Sequence, residues 1–125
     1  MRTSKLDLLV TTLALAALLL VAWAPEVSAA GETTPVLKRV EAKKVCMVNN
    51  AVFEKDQIPI AVEGKTYYGC CDMCKERLAK DAEARTGVDP VTGKKVDKAT
   101  AVIAALADGT VLYFESEETF KKYGK

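Results

Sequence analysis

Tyr67-Tyr68-Gly69-Cys70-Cys71-Asp72-Met73-Cys74 is the stretch on which the reading of this chain turns. Lys65 to Gly69 reads as a short strand. From Asp72 onward Lys75, Glu76, Arg77, Leu78, Ala79 and Lys80 are all good helix formers, so the stretch is a strand-to-helix corner. Three of the four cysteines sit in it, and no histidine occurs anywhere in the chain. Cys70 and Cys74 are four apart and Cys71 and Cys74 three apart, spacings that share one face at the start of a helix. Unpaired N–H groups and partial positive charge at a helix N-terminus favour thiolate over thiol. The fourth cysteine, Cys46, stands upstream with 23 residues between it and Cys70, and must arrive from a neighbouring strand or loop.

Working outward, Lys43 to Val48 opens the folded part as a strand or extended loop, and Asn49-Asn50 marks a turn. Ile58 to Val62 is a strand with Pro59 near its start or on an edge, and Glu63-Gly64 turns it back into Lys65 to Tyr68. The helix is expected from about Cys71 to Arg85, with Cys71, Cys74, Leu78 and Ala82 as its apolar stripe and Gly87 as its C-cap. A second strand, Thr100 to Ala107, turns at Asp108-Gly109 into Thr110 to Phe114. Ser116 then caps a short helix, Glu117 to Tyr123, which Gly124 stops. Tyr67, Tyr68, Tyr113 and Phe114 are expected to fill the sheet face, and Met47 and Met73 to pack.

These elements repeat. Glu63-Gly64-Lys65-Thr66-Tyr67-Tyr68 aligns with Asp108-Gly109-Thr110-Val111-Leu112-Tyr113, which places Cys70 on Glu115, Cys71 on Ser116 and Cys74 on Thr119. With a one-residue gap, Val45-Cys46 meets Val91-Thr92. The fold class is therefore α+β, built of small strand-hairpin-helix units in two tandem degenerate copies. The first copy carries sulfur where the second carries oxygen.

At 125 residues there is room for one small domain. Residues 1–29 read as a secretory signal: Arg2 and Lys5 precede an apolar run from Leu8 to Trp23, and Val27-Ser28-Ala29 suits cleavage after Ala29. That run is shorter than the roughly 20 residues of a spanning helix, so no membrane span is expected after cleavage. Residues 30–44 read as a linker, 45–87 as the cysteine-bearing unit and 88–125 as the unit without cysteine. With 18 basic and 17 acidic residues the chain lacks the charge excess of a nucleic-acid binder. Without a histidine base, a serine-centred motif or a glycine-rich phosphate loop, no enzyme activity is expected.

Cys46, Cys70 and Cys74, spaced as a cysteine in an extended segment, a hairpin ending in Tyr-x-x-Cys, and a cysteine in the first helical turn, resemble the TRASH and YHS group of small metal-associated domains. The doublet Cys70-Cys71 before Asp72-Met73-Cys74 is common in YHS domains. Asp89-Pro90-Val91-Thr92-Gly93-Lys94 resembles the YHS opening Asp-Pro-Val-Cys-Gly-Met without its cysteine and methionine. The resemblance covers roughly residues 44–123 and implies heavy-metal binding in copper or other metal trafficking, sensing or resistance. A metal-transport or resistance protein would then be the partner.

Three chemistries compete for the sulfurs. A thiolate metal site would use Cys46, Cys70, Cys71 and Cys74 for a soft ion, with three sulfurs suiting Cu(I) and four suiting Zn(II). An even cysteine count in an exported chain also suits disulfides, giving a stapled interaction module, and zinc as a pure scaffold is a related reading. A redox-active Cys71-x-x-Cys74 is the third, though a thioredoxin-like context is missing. The match of this spacing to the TRASH pattern favours the metal, and the resemblance, with the secretory signal, implies an exported periplasmic or extracellular protein that stores, senses or transfers copper or a related ion.

Overall fold

The structure, a computed structural model, describes residues 34–125; the secretory signal expected at 1–29 and the first residues of the linker lie outside the described residues. It is an α+β fold of small antiparallel hairpins and two α-helices. Strand β1 (Leu37–Arg39) and a single 3-10 turn (Ala42–Lys44) lead into hairpin β2 (Val45–Cys46) and β3 (Ala51–Val52). Hairpin β4 (Ile58–Val62) and β5 (Lys65–Gly69) and helix α1 (Asp72–Lys80) follow. The order then recurs as hairpin β6 (Thr86–Val88) and β7 (Lys95–Asp97), hairpin β8 (Val102–Leu106) and β9 (Val111–Phe114), and helix α2 (Glu117–Tyr123). Each half is hairpin, hairpin, helix. Among the described residues no helix is long and apolar enough to cross a membrane.

The repeat reaches down to backbone angles. Cys71 caps α1 with φ −155° and ψ 171°, and Ser116 caps α2 with φ −157° and ψ 167°. The first hairpins also match, but in a different register from the one the sequence suggests. Cys46 pairs with Ala51 around a four-residue turn, and the Asp89 N–H bonds the Lys94 carbonyl at 2.9 Å around a turn of the same length. Cys46 is therefore equivalent to Asp89, not to Thr92. Counting from the helices hides this, because the segment between the two hairpins differs in length between the halves.

Three further expectations change. Leu37–Arg39, read as linker, adds an edge strand to β8 in the register Leu37↔Leu106, and Arg39 pairs with Glu117 while lying over the Phe120 ring. Helix α1 stops at Lys80 rather than near Arg85. The Asp81 carboxylate accepts the Glu83 N–H at 2.9 Å, a local bond that competes with helix, and the Arg85 guanidinium takes the Leu78 carbonyl at 2.7 Å. Gly87, read as the helix cap, lies in β6, where a methyl group would stand 3.0 Å from the Tyr113 Cβ. The glycine lets β6 lie close against β9.

One apolar core serves both halves: Ile60, Tyr67 and Leu78 from the first meet Ile103, Val111 and Tyr113 from the second. Units of this size bury too little surface to stand alone, and a shared interior is the remedy available without cross-links. Met47 joins this core fully buried, whereas Met73, expected to pack, is 82% exposed on α1.

Candidate metal centre

Two backbone devices bring the sulfurs together. The Met47 N–H bonds the Tyr68 carbonyl at 2.9 Å, stitching the β2–β3 turn to the end of β5. Val45, Cys46 and Met47 are all fully buried there. On the other side Gly69 lets β5 end tight against α1, since a Cβ at that position would meet the Cys74 Cβ at 3.0 Å. Cys46 thereby faces the corner that carries Cys70 and Cys74.

The three sulfurs lie within 4.8 Å of one another. Cys46 Sγ is 3.9 Å from Cys74 Sγ, and Cys70 Sγ is 3.6 Å from it. Sulfurs bound to one ion at about 2.3 Å stand about 3.8 Å apart in a tetrahedral arrangement and about 4.0 Å apart in a trigonal one. The two separations about Cys74, 3.9 and 3.6 Å, are close to these values. All four cysteines are free thiols. Cys71 approaches Cys74 to 3.3 Å but is exposed and stands outside the group of three.

The electrostatics of the four sulfurs differ. Burial pushes the Cys46 thiol up, but the N–H groups of Asn49, Val48 and Cys70 and the Cys70 thiol outweigh it and lower its pKa. Cys71 is lowered first by the N–H of Cys74 and then by the Cys74 thiol, without a formal capping hydrogen bond. Cys70 is raised, first by the neighbouring Cys46 sulfur and then by burial. Burial, with the other three sulfurs, pushes Cys74 up to about 12. Cys46, at the closed end, thus gives up its proton more readily than an ordinary thiol, and Cys74, in the middle, holds its proton firmly. An ion that displaces the Cys74 proton gains a bridgehead already in contact with every other sulfur. Asn49 adds an Nδ2–H to Cys70 Sγ at 3.4 Å.

Replacing Cys71 separates triad from neighbour. Cys71→Ser is expected to lower metal affinity by less than about tenfold, the smallest effect that loss of a supporting partner has, while Cys74→Ser lowers it far more. A chelator-competition titration of the two variants measures this, and equal losses would make Cys71 a ligand.

The second half shows what stands in place of the sulfurs. Asp89 is fully buried, and its carboxylate accepts the N–H of Val91 at 2.7 Å, of Thr92 at 3.3 Å and of Glu115 at 2.8 Å. It joins the hairpin turn to the strand-to-helix corner, as an ion joining Cys46 to Cys70 would do in the first half. At that corner Ser116 and Thr119, equivalent to Cys71 and Cys74, close a capping box. Asp89 and the buried Lys98 were both missed as structural centres by sequence reading. Asp-Pro ahead of a turn was the available signal for Asp89; nothing local marks Lys98 as buried.

No protein-family model, no curated protein and no solved structure matches this chain.

Proposed function

We propose that this is a metal-binding protein of TRASH/YHS type that holds a soft ion, Cu(I) or Zn(II), on Cys46, Cys70 and Cys74. It acts outside the cytoplasm in copper or related metal handling, and is a carrier rather than an enzyme. The observation that carries the reading is the separation of the sulfurs, 3.6 and 3.9 Å about Cys74, which suits a common ion at ordinary metal–sulfur length. Sulfur-only donors select such ions, since harder cations prefer oxygen. The site combines a closed end at Cys46 with a partly exposed Cys70 and an exposed Cys71. Transfer to a metal-transport or resistance protein then runs by stepwise exchange between two- and three-thiolate states at the open end.

Elemental analysis of protein purified reduced and without oxygen tests the reading. One ion per chain is expected, and none in the combined variant Cys46→Ser, Cys70→Ser, Cys74→Ser. Binding that survives in the combined variant removes the site. A wild-type protein with no free thiol and no ion is instead a disulfide-stapled module.

A further inference from the structure

Lys98, in the half that has no cysteine, is 5% exposed. Its ammonium donates to the Met47 carbonyl at 2.6 Å and to Asn50 Oδ1 at 3.1 Å, and lies 5.0 Å from the centre of the Tyr113 ring. The Tyr113 hydroxyl donates to the same Asn50 oxygen at 3.0 Å. Among the described residues no carboxylate stands within ion-pair distance of Lys98. A buried charge held only by partial charges is costly, and such a group normally has a counter-ion. Both hydrogen bonds of the ammonium go to the β2–β3 turn, whose first residue directly follows Cys46. Burial, and to a smaller degree Arg77, lower the Lys98 pKa and oppose its charge, while the Cys46 sulfur favours it.

We infer that Lys98 is the counter-charge of the sulfur site and the residue that fixes the Cys46 turn, supplied across the core by the second half. This rests on the metal reading above and refines its cargo. Three thiolates around a monovalent ion carry a net charge of two minus, and around a divalent ion one minus. A single buried ammonium on the turn next to Cys46 favours the more negative complex more strongly, so Lys98 biases the site toward Cu(I) over Zn(II). Asn50 is suited to the turn that Lys98 grips: its φ of 51° is a left-handed conformation that asparagine tolerates better than most residues.

The test is a pair of anaerobic competition titrations on the full protein, with Cu(I) and with Zn(II) each buffered by a chromophoric chelator. Lys98→Met is expected to weaken Cu(I) binding by about tenfold or more, the scale on which groups supporting metal ligands act. It weakens Zn(II) less, and Lys98→Arg restores Cu(I) binding to near the wild-type level. If Lys98→Met fails to fold, Lys98→Gln, which keeps a donor but not the charge, must show the same preference for weakening Cu(I). Wild-type affinity in the variants overturns the inference alone. Equal losses for both ions, matched in Lys98→Arg, show a merely structural lysine and overturn it too. A wild-type protein that takes up neither ion overturns the metal reading and this inference together.

Discussion

One equivalent of Cu(I) or Zn(II) added to the reduced protein raises its thermal midpoint by about 15 °C or more, and a strong chelator reverses the shift. An ion that binds only the folded chain stabilises it by about 4 kcal/mol when its concentration is a thousand times the dissociation constant. For a domain of this size each kcal/mol moves the midpoint by roughly 4–8 °C. The effect should be large here because the ligands come from separate elements: Cys46 ends β2, while Cys70 and Cys74 flank the start of α1. An unfolded chain keeps only the corner cysteines near one another and loses Cys46 from the set. The combined serine variant should melt at one temperature with or without the ion. A wild-type midpoint that ignores added ion, in protein whose thiols are shown to be free, contradicts the proposed centre.

The second large effect is expected at a position that touches no sulfur. Asp89→Ala should destabilise the metal-free protein by about 3 kcal/mol, because it removes a fully buried carboxylate that the N–H groups of Val91, Thr92 and Glu115 all point at. Asp89→Asn is no safe substitute: one face of its amide becomes a donor pointing at donors. Burial raises the Asp89 pKa, but the N–H of Glu115, the Thr119 hydroxyl and the N–H groups of Val91 and Thr92 more than offset this and leave it lowered. A folded pKa below the unfolded one gives stability that is complete above the unfolded value of about 4 and is lost as the pH falls through the folded value. Denaturant titrations from pH 7 down to pH 3 check this. The gap between wild type and Asp89→Ala should be widest near neutrality and narrow in acid. A gap that stays constant with pH would show that the charge does not matter. Lys65–Asp97, also a lowered carboxylate, is present in both proteins and cancels in the difference.

Much of the architecture is written locally. Glu63-Gly64 has both residues in the left-handed region, Asp108 accepts the Thr110 N–H across its turn, and Ser116 caps α2; each can be read from a few adjacent residues. The corner sulfurs are legible for the same reason, since spacings of three and four at a helix start place them together. What eludes sequence reading depends on distant partners. The strand Leu37–Arg39 forms because β8 has a free edge for it. Helix α1 ends early because Arg85 folds back on the Leu78 carbonyl. That Cys46 meets Cys74 depends on the Met47–Tyr68 bond, and that Lys98 is buried depends on a carbonyl 51 residues away. The equivalence of Cys46 and Asp89 is chemical rather than textual, a corner closed by clustered thiols answered by a carboxylate-linked one, and residue-type alignment has no means of scoring it.

The apolar interior built jointly by Leu78, Ile60, Ile103 and Val111 decides how this molecule can be cut. A fragment that keeps every cysteine but ends at Thr86 would expose a greasy wall where its other half belongs, and it would lose the Lys98 grip on the turn beside Cys46. Peptides copying the sulfur corner are therefore poor mimics of the whole: the thiol cluster borrows its rigidity from sequence that owns no thiol.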